Sequence, residues 1–208
     1  MRDRSKPNDN QRRLYELAES QGGYFTANQA GKLGYGASKR NYHVGARNWI
    51  REARGIFRLA LFPKPERPDL ILWWLWSHDR SGRRLGVFSH RTALSLHDLT
   101  DLMPARIEMI VPKTFRRGAP IPPVLILHHA DLSPHEIERI NHVPVTIALR
   151  AIFDLWQSGE ISPGILRSAF QKASDQGKIT KGQLQAASKY AGWEQVAASL
   201  MGKGKSEK

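Results

Sequence analysis

Ser38, Lys39, Arg40, Asn41, His43 and Arg47 crowd into ten consecutive residues. Arginine and lysine can grip the acceptor edge of guanine, and asparagine can grip adenine with two parallel bonds. Carried on the early turns of one short helix, such residues suit a DNA major groove, while the free N–H groups at the helix start suit phosphate. Arg51, Arg54 and Arg58 follow directly and suit the flanking backbone or minor groove. Thr26, Asn28 and Gln29, at the start of the preceding helix, join them as backbone contacts. Arg116 and Arg117, in the long loop from Lys113 to Pro123, offer a second phosphate contact.

Rival chemistries fare worse. The chain has no cysteine, which excludes disulfide scaffolds, thiol catalysis and cysteine zinc sites. His78, His90, His97, His128, His129, His135 and His142 invite a metal, but no HExxH spacing occurs. His128 and His129 end an apolar strand, where neighbouring side chains face opposite ways. Ser89-His90 and His97-Asp98 are sequence neighbours, and a catalytic triad needs convergence in space. Gly34-Tyr35-Gly36 sits at helix ends and lacks the strand–loop–helix setting of a phosphate loop. A nuclease needs clustered carboxylates with a lysine, and Asp69 has no acidic-x-Lys partner on a following strand. The sequence therefore predicts no catalytic residue, no metal and no cofactor.

The elements that must carry the basic residues can be read from periodicity. Leu14, Leu17 and Ala18 fall at i, i+3, i+4 on a helix from about Asp9 to Ser20, ended by Gly22-Gly23. Thr26 and Gln29 have capping-box spacing and open a helix to Leu33. After a glycine turn, Ser38 caps a third helix to about Arg47. Residues 49–54 and 56–61 roughly alternate on either side of Gly55 and read as a hairpin. This order is that of a winged helix-turn-helix. Pro63, Pro65 and Pro68 mark a linker.

A second domain opens on a tryptophan-rich helix, Asp69 to Ser77, apolar on more than one face. Ser89 caps a helix through Leu96. Strands are expected at 106–111, 124–128 and 143–146, with a helix opened by the capping box Ser133 to Glu136. From Ala148 the chain turns helical, with Leu149, Ile152, Phe153 and Trp156 on one face and further helices from Ser162, Thr180 and Trp193. The expected fold class is α+β: a disordered arm over 1–8, a winged-helix domain over 9–62, a linker over 63–68, a mixed α/β domain with a helical C-terminal part over 69–201, and a disordered tail over 202–208.

Composition agrees with a polyanionic partner. The 208 residues hold 32 Lys/Arg against 19 Asp/Glu, a net charge of +13. Residues 1–64 alone hold 13 against 5, so +8 of the excess lies in the first third. Nucleic acid is the first expectation and an anionic membrane surface the second. The longest apolar run, Leu70 to Trp76, has 7 residues, far short of the roughly 20 of a membrane span. The charged N-terminus lacks the apolar core of a secretory signal, so a cytoplasmic location is expected.

The second domain carries a family resemblance. Ser89-His90-Arg91-Thr92-Ala93-Leu94-Ser95-Leu96-His97-Asp98-Leu99 resembles the S-H-x-T-A-L-x-L-H-x-L segment of AbiEi-type antitoxins from bacterial type IV toxin–antitoxin and phage-defence operons. Ile107 to Pro112 resembles the I-x-x-x-V-P that follows it. Val145-Thr146 through Arg150 and Asp154-Leu155 resemble V-T-x-x-x-R-T-x-x-D-L, and Ala53-Arg54-Gly55-Ile56-Phe57-Arg58-Leu59 resembles the family's wing, x-R-G-V-Y-R-L. These stretches recur in order across about residues 10–160. Ala151, Asp98 and Phe57 stand where threonine, glycine and tyrosine are usual.

The resemblance implies a winged-helix repressor that binds inverted repeats of double-stranded DNA in its own operon promoter. It also implies a second domain that counters a nucleotidyltransferase-type toxin. It implies no catalytic role for Ser89, His90, Thr146, Arg150 or Asp154, which read as caps, buried hydrogen bonds and a buried Arg–Asp pair. The alternatives are a protein-interaction module that neutralises its toxin by direct contact, and a degenerate nuclease-like enzyme. Oligomeric state stays open, with cooperative pairs on DNA as one arrangement.

Overall fold

The computed structural model describes residues 7–79, 81–101, 104–118 and 120–202. It is mixed α+β, with two sheets among the described residues. Contacts divide the chain into one unit of residues 1–86 with 139–143 and another of 87–138 with 144–208. The expected arm and tail lie mostly outside the described residues; Pro7 and Asn8, expected in the arm, belong to the first helix.

The first unit begins with α1 (Pro7–Glu19), β1 (Tyr24–Thr26), α2 (Ala27–Lys32) and α3 (Ala37–Gly45). β2 (Trp49–Ala53), β3 (Ile56–Leu59) and α4 (Pro68–Trp76) follow. β3 lies between β1 and β2, antiparallel to both. β1 was not expected: three residues between a glycine pair and a helix cap are too few for a periodic signal. Its pairing explains why Tyr24 and Phe25 are buried.

Phe25 stands at the centre of this unit's core. Its ring meets Trp49 edge-on at 4.8 Å and stacks on Phe57 at 5.9 Å, with Leu14, Ala18 and Ala30 around them. Such aromatic pairs add about 0.5–1.5 kcal/mol beyond the area they bury. Gly23 lets α1 turn into β1: its φ is +89°, and a side chain there would strike Phe62.

Two expectations about these helices need correction. Ser38 does not cap α3; Gly36 occupies that position and makes no side-chain cap bond. α4, expected to open the second domain, groups with the first unit, where Leu70, Ile71, Trp74 and Leu75 are buried. The proline segment is therefore an internal connection rather than a linker between the two units.

In the second unit, β4 (Val87–Phe88), α5 (His90–Leu96), β5 (Ile107–Val111) and β6 (Leu125–His129) are followed by β7 (Ile137–Ile140) and β8 (Val143–Thr146), of which residues 139–143 group with the first unit. The sheet order is β6-β5-β4-β8-β7. β5 runs parallel to β6, and β4 parallel to β8. α6 (Ala148–Ser158), α7 (Pro163–Asp175), α8 (Lys181–Ala187) and α9 (Trp193–Met201) complete it. The Ser133–Glu136 capping box is present but holds only a single 3-10 turn, because residues 137–140 leave it directly as β7. Ser89 is the N-cap of α5, as expected, and its carbonyl accepts from the Ala93 N–H, but its side chain makes no cap bond. No described helix is long and apolar enough to cross a membrane.

Candidate functional site

α3 buries none of its residues. Ser38, Lys39 and Asn41 are exposed, and Tyr42 keeps 70% of its surface in water. His43 turns inward and stacks on Trp49 at 4.5 Å, with Asn48 Nδ2 3.3 Å from its Nδ1. Burial, then the nearby Lys39, lowers its pKa, so the ring is neutral at physiological pH. Arg40 is half-buried and donates to the Tyr35 carbonyl at 2.7 Å, closing the turn ahead of its own helix.

The hairpin cations part company. Arg51 is exposed on β2, donates to Asn41 Oδ1 at 3.3 Å and lies over the Phe57 ring. Its charge therefore sits beside α3. Arg54 is exposed at the hairpin turn, and Arg47 just after α3, where its φ is +58°. Arg58 is different. Its side chain is only 12% exposed, pairs with Glu52 at 2.7 Å and donates to the carbonyls of Leu59 and Phe62. It braces the hairpin.

Thr26 and Gln29 are likewise committed to structure. They form the reciprocal capping box of α2, and Gln29 also bonds Gln21. Asn28 is exposed. In the second unit Arg116 is exposed but donates to the carbonyls of Lys113 and Phe115, and Arg117 is half-buried. The structure thus leaves Ser38, Lys39, Asn41 and Arg51 exposed, with Arg51 beside Asn41, and turns Arg40, Arg58, Thr26 and Gln29 to internal bonds.

A second constellation lies within the other unit and joins His90 and His128, both weighed in the sequence as metal candidates, to Glu108, which was not. Glu108 on β5 has a side chain only 3% exposed. Its Oε1 accepts from Arg91 at 3.1 Å, and its Oε2 lies 2.9 Å from His128 Nε2 on β6. The His128 ring stacks on that of His90 at 3.6 Å. His90 Nδ1 lies 2.9 Å from Ser89 Oγ. Burial, then the neighbouring His128, pulls the His90 pKa down to about 4, so this ring is neutral. Burial alone raises Glu108, but His128, His90 and Arg91 outweigh it and hold the carboxylate ionised.

Arg150 of α6 anchors a third group. It bonds Glu136, and its Nε donates to Asp154 Oδ1 at 2.8 Å, which realises the expected i, i+4 pair. Tyr190 donates its hydroxyl to Glu136 at 2.8 Å. The two carboxylates diverge. Burial raises both, but bonds from Ser133, Arg150 and Tyr190 bring Glu136 below its ordinary value. Burial dominates at Asp154 and pushes it up to about 6 despite Arg150. Beside Glu136 opens a cavity of about 750 Å³, lined in part by His135, Thr180, Gln183, Lys189 and Tyr190.

The sequence did contain Ser89, His90, His128, Arg150 and Asp154 as singled-out residues; Glu108 had no signal beyond an acidic residue in an apolar strand. Compared with known proteins, the chain matches no family model and no curated protein.

Proposed function

We propose that the protein is a sequence-specific DNA-binding autorepressor and the antitoxin of a type IV toxin–antitoxin operon, opposing a nucleotidyltransferase-type toxin. The first unit acts as a winged helix-turn-helix. α3 is the recognition helix, and the β2–β3 hairpin is the wing. Lys39 and Asn41 read base edges, and Arg51, Arg54 and Arg47 neutralise flanking phosphates. Arg40 and Arg58 hold the reader in shape and leave the contact set. No catalysis is assigned.

One observation carries this reading: none of the α3 residues is buried, and Arg51 of the neighbouring strand bonds Asn41 on it, so an exposed cation sits against the exposed helix. The second-unit resemblance to AbiEi-type antitoxins supports the operon role.

The test is a gel-shift series on the DNA upstream of the chain's own gene at two salt concentrations. If about six phosphates are neutralised, log K falls against log salt with a slope near −5. Lys39→Ala should cost about 1–3 kcal/mol and relax base preference. Arg54→Ala should weaken all sequences evenly and shrink the slope by about 1. Parent-like binding by both variants refutes the assignment.

A further inference from the structure

We propose that His90, Glu108 and His128 form a binding site for one divalent transition-metal ion of the zinc type. This site is independent of the DNA reading. One donor atom from each of the three residues lies within 4.8 Å of the others. Two imidazoles and a carboxylate are the donor set of zinc sites with three protein ligands and an open fourth position. Nitrogen-rich donors select zinc-like ions over magnesium or calcium, which prefer all-oxygen shells.

The surroundings have the form of an outer shell. Ser89 Oγ occupies His90 Nδ1 at 2.9 Å, which fixes the ring and leaves its Nε2 for an ion. Arg91 holds one oxygen of Glu108 at 3.1 Å and reaches on to Glu160. Thr92 Oγ accepts from the Glu108 backbone N–H at 2.9 Å. Arg91 and His128 thus hold the two carboxylate oxygens, and Thr92 anchors the backbone of the same residue. His90 itself sits at φ +51°, a left-handed conformation rare for any residue but glycine, and here it directs the ring at β5 and β6.

A further sign is the stacked pair. His90 and His128 lie at 3.6 Å and within 14° of parallel, both near the same carboxylate. Stacked in this way the rings hold their in-plane lone pairs side by side, so that both reach one ion once the rings turn. Binding would replace the His128–Glu108 hydrogen bond by two bonds to the ion, with the His128 Nε2 proton passing to Nδ1 or to solvent. The rings would swivel so that the donors close from within 4.8 Å to the roughly 3.3 Å edge of a tetrahedron with 2.0–2.1 Å bonds. The ion would tie the start of α5 to β5 and β6.

Zinc titration of the metal-stripped full chain by calorimetry should give one site per chain, with magnesium giving none. His128→Ala and Glu108→Gln should each weaken zinc at least about 100-fold, and Ser89→Ala about 10- to 100-fold. His129→Ala, on the adjacent and oppositely facing residue, should change nothing. Circular dichroism shows whether each variant folds. Imidazole NMR of the unmutated chain requires no variant: zinc should shift two rings of the eight, and those two should be the pair that share a cross-ring contact. Absence of a one-to-one site, folded His128→Ala or Glu108→Gln chains that bind like the parent, or zinc shifts on other rings each overturn the proposal.

Discussion

Asp154 offers a test of the buried ionic architecture in which the sign and the size both follow from the structure. Its Oδ1 accepts from Arg150, but its Oδ2 is buried with no hydrogen-bond donor. Half the carboxylate is therefore unsatisfied, and burial pushes the group from the ordinary 3.8 up to about 6. Between these values the folded chain holds a proton that the unfolded chain has released. Stability must then fall as pH rises through this window, at up to about 1.4 kcal/mol per pH unit. The total is about 3 kcal/mol. The side chain is 10% exposed, so solvent screening removes little of it.

Asp154→Asn removes this titration while keeping shape and an oxygen for Arg150. Urea unfolding of parent and variant, followed by circular dichroism from pH 4 to 7.5, isolates the residue by difference, because Glu136, which shares Arg150 with it, is held below its ordinary value and so changes charge only at the acid end. The variant should gain on the parent by about 2 kcal/mol between pH 4 and 7.5, the part of the total that falls inside this window, even if it starts lower through a weakened Arg150 pairing. A difference that stays level within about 0.5 kcal/mol across the window refutes the reasoning.

Two further outcomes concern the first unit and are measured by the same urea unfolding. Phe25→Ala should cost about 3–5 kcal/mol, because the ring contacts both Trp49 and Phe57 and leaves a cavity between them. Gly23→Ala should cost at least about 1–3 kcal/mol, since φ is +89° and the added carbon would lie 2.6 Å from the Phe62 ring.

Much of the architecture was legible wherever a local rule sufficed. The Leu14–Leu17–Ala18 spacing, the Thr26–Gln29 box, the Gly55 hairpin and the four C-terminal helices all appear where periodicity and capping place them. What local rules missed are the elements made by pairing. β1 and β4 have three and two residues and exist because β3, β5 and β8 offer them partners. The Ser133 box was read correctly as a cap and wrongly as a helix. A cap specifies how a helix starts, and Ile137 to Ile140 instead meet the needs of an edge strand.

The same division separates the two candidate sites. The α3 region was legible because its residues are neighbours in sequence, although only contacts distinguish a free Lys39 from an Arg40 bound to the Tyr35 carbonyl. Glu108 and His128 are twenty residues apart and meet through register. β5 and β6 run parallel with Ile110 opposite His128, so Glu108, two residues before Ile110, shares its face with His128. A one-residue slip would send His128 to the opposite face and bring His129 inward. The alternation that made His128-His129 look unfit as a chelating pair is thus what leaves one of them facing Glu108, with His90 arriving from α5. Sequence can supply that alternation, but the partner strand and its register come only from the fold.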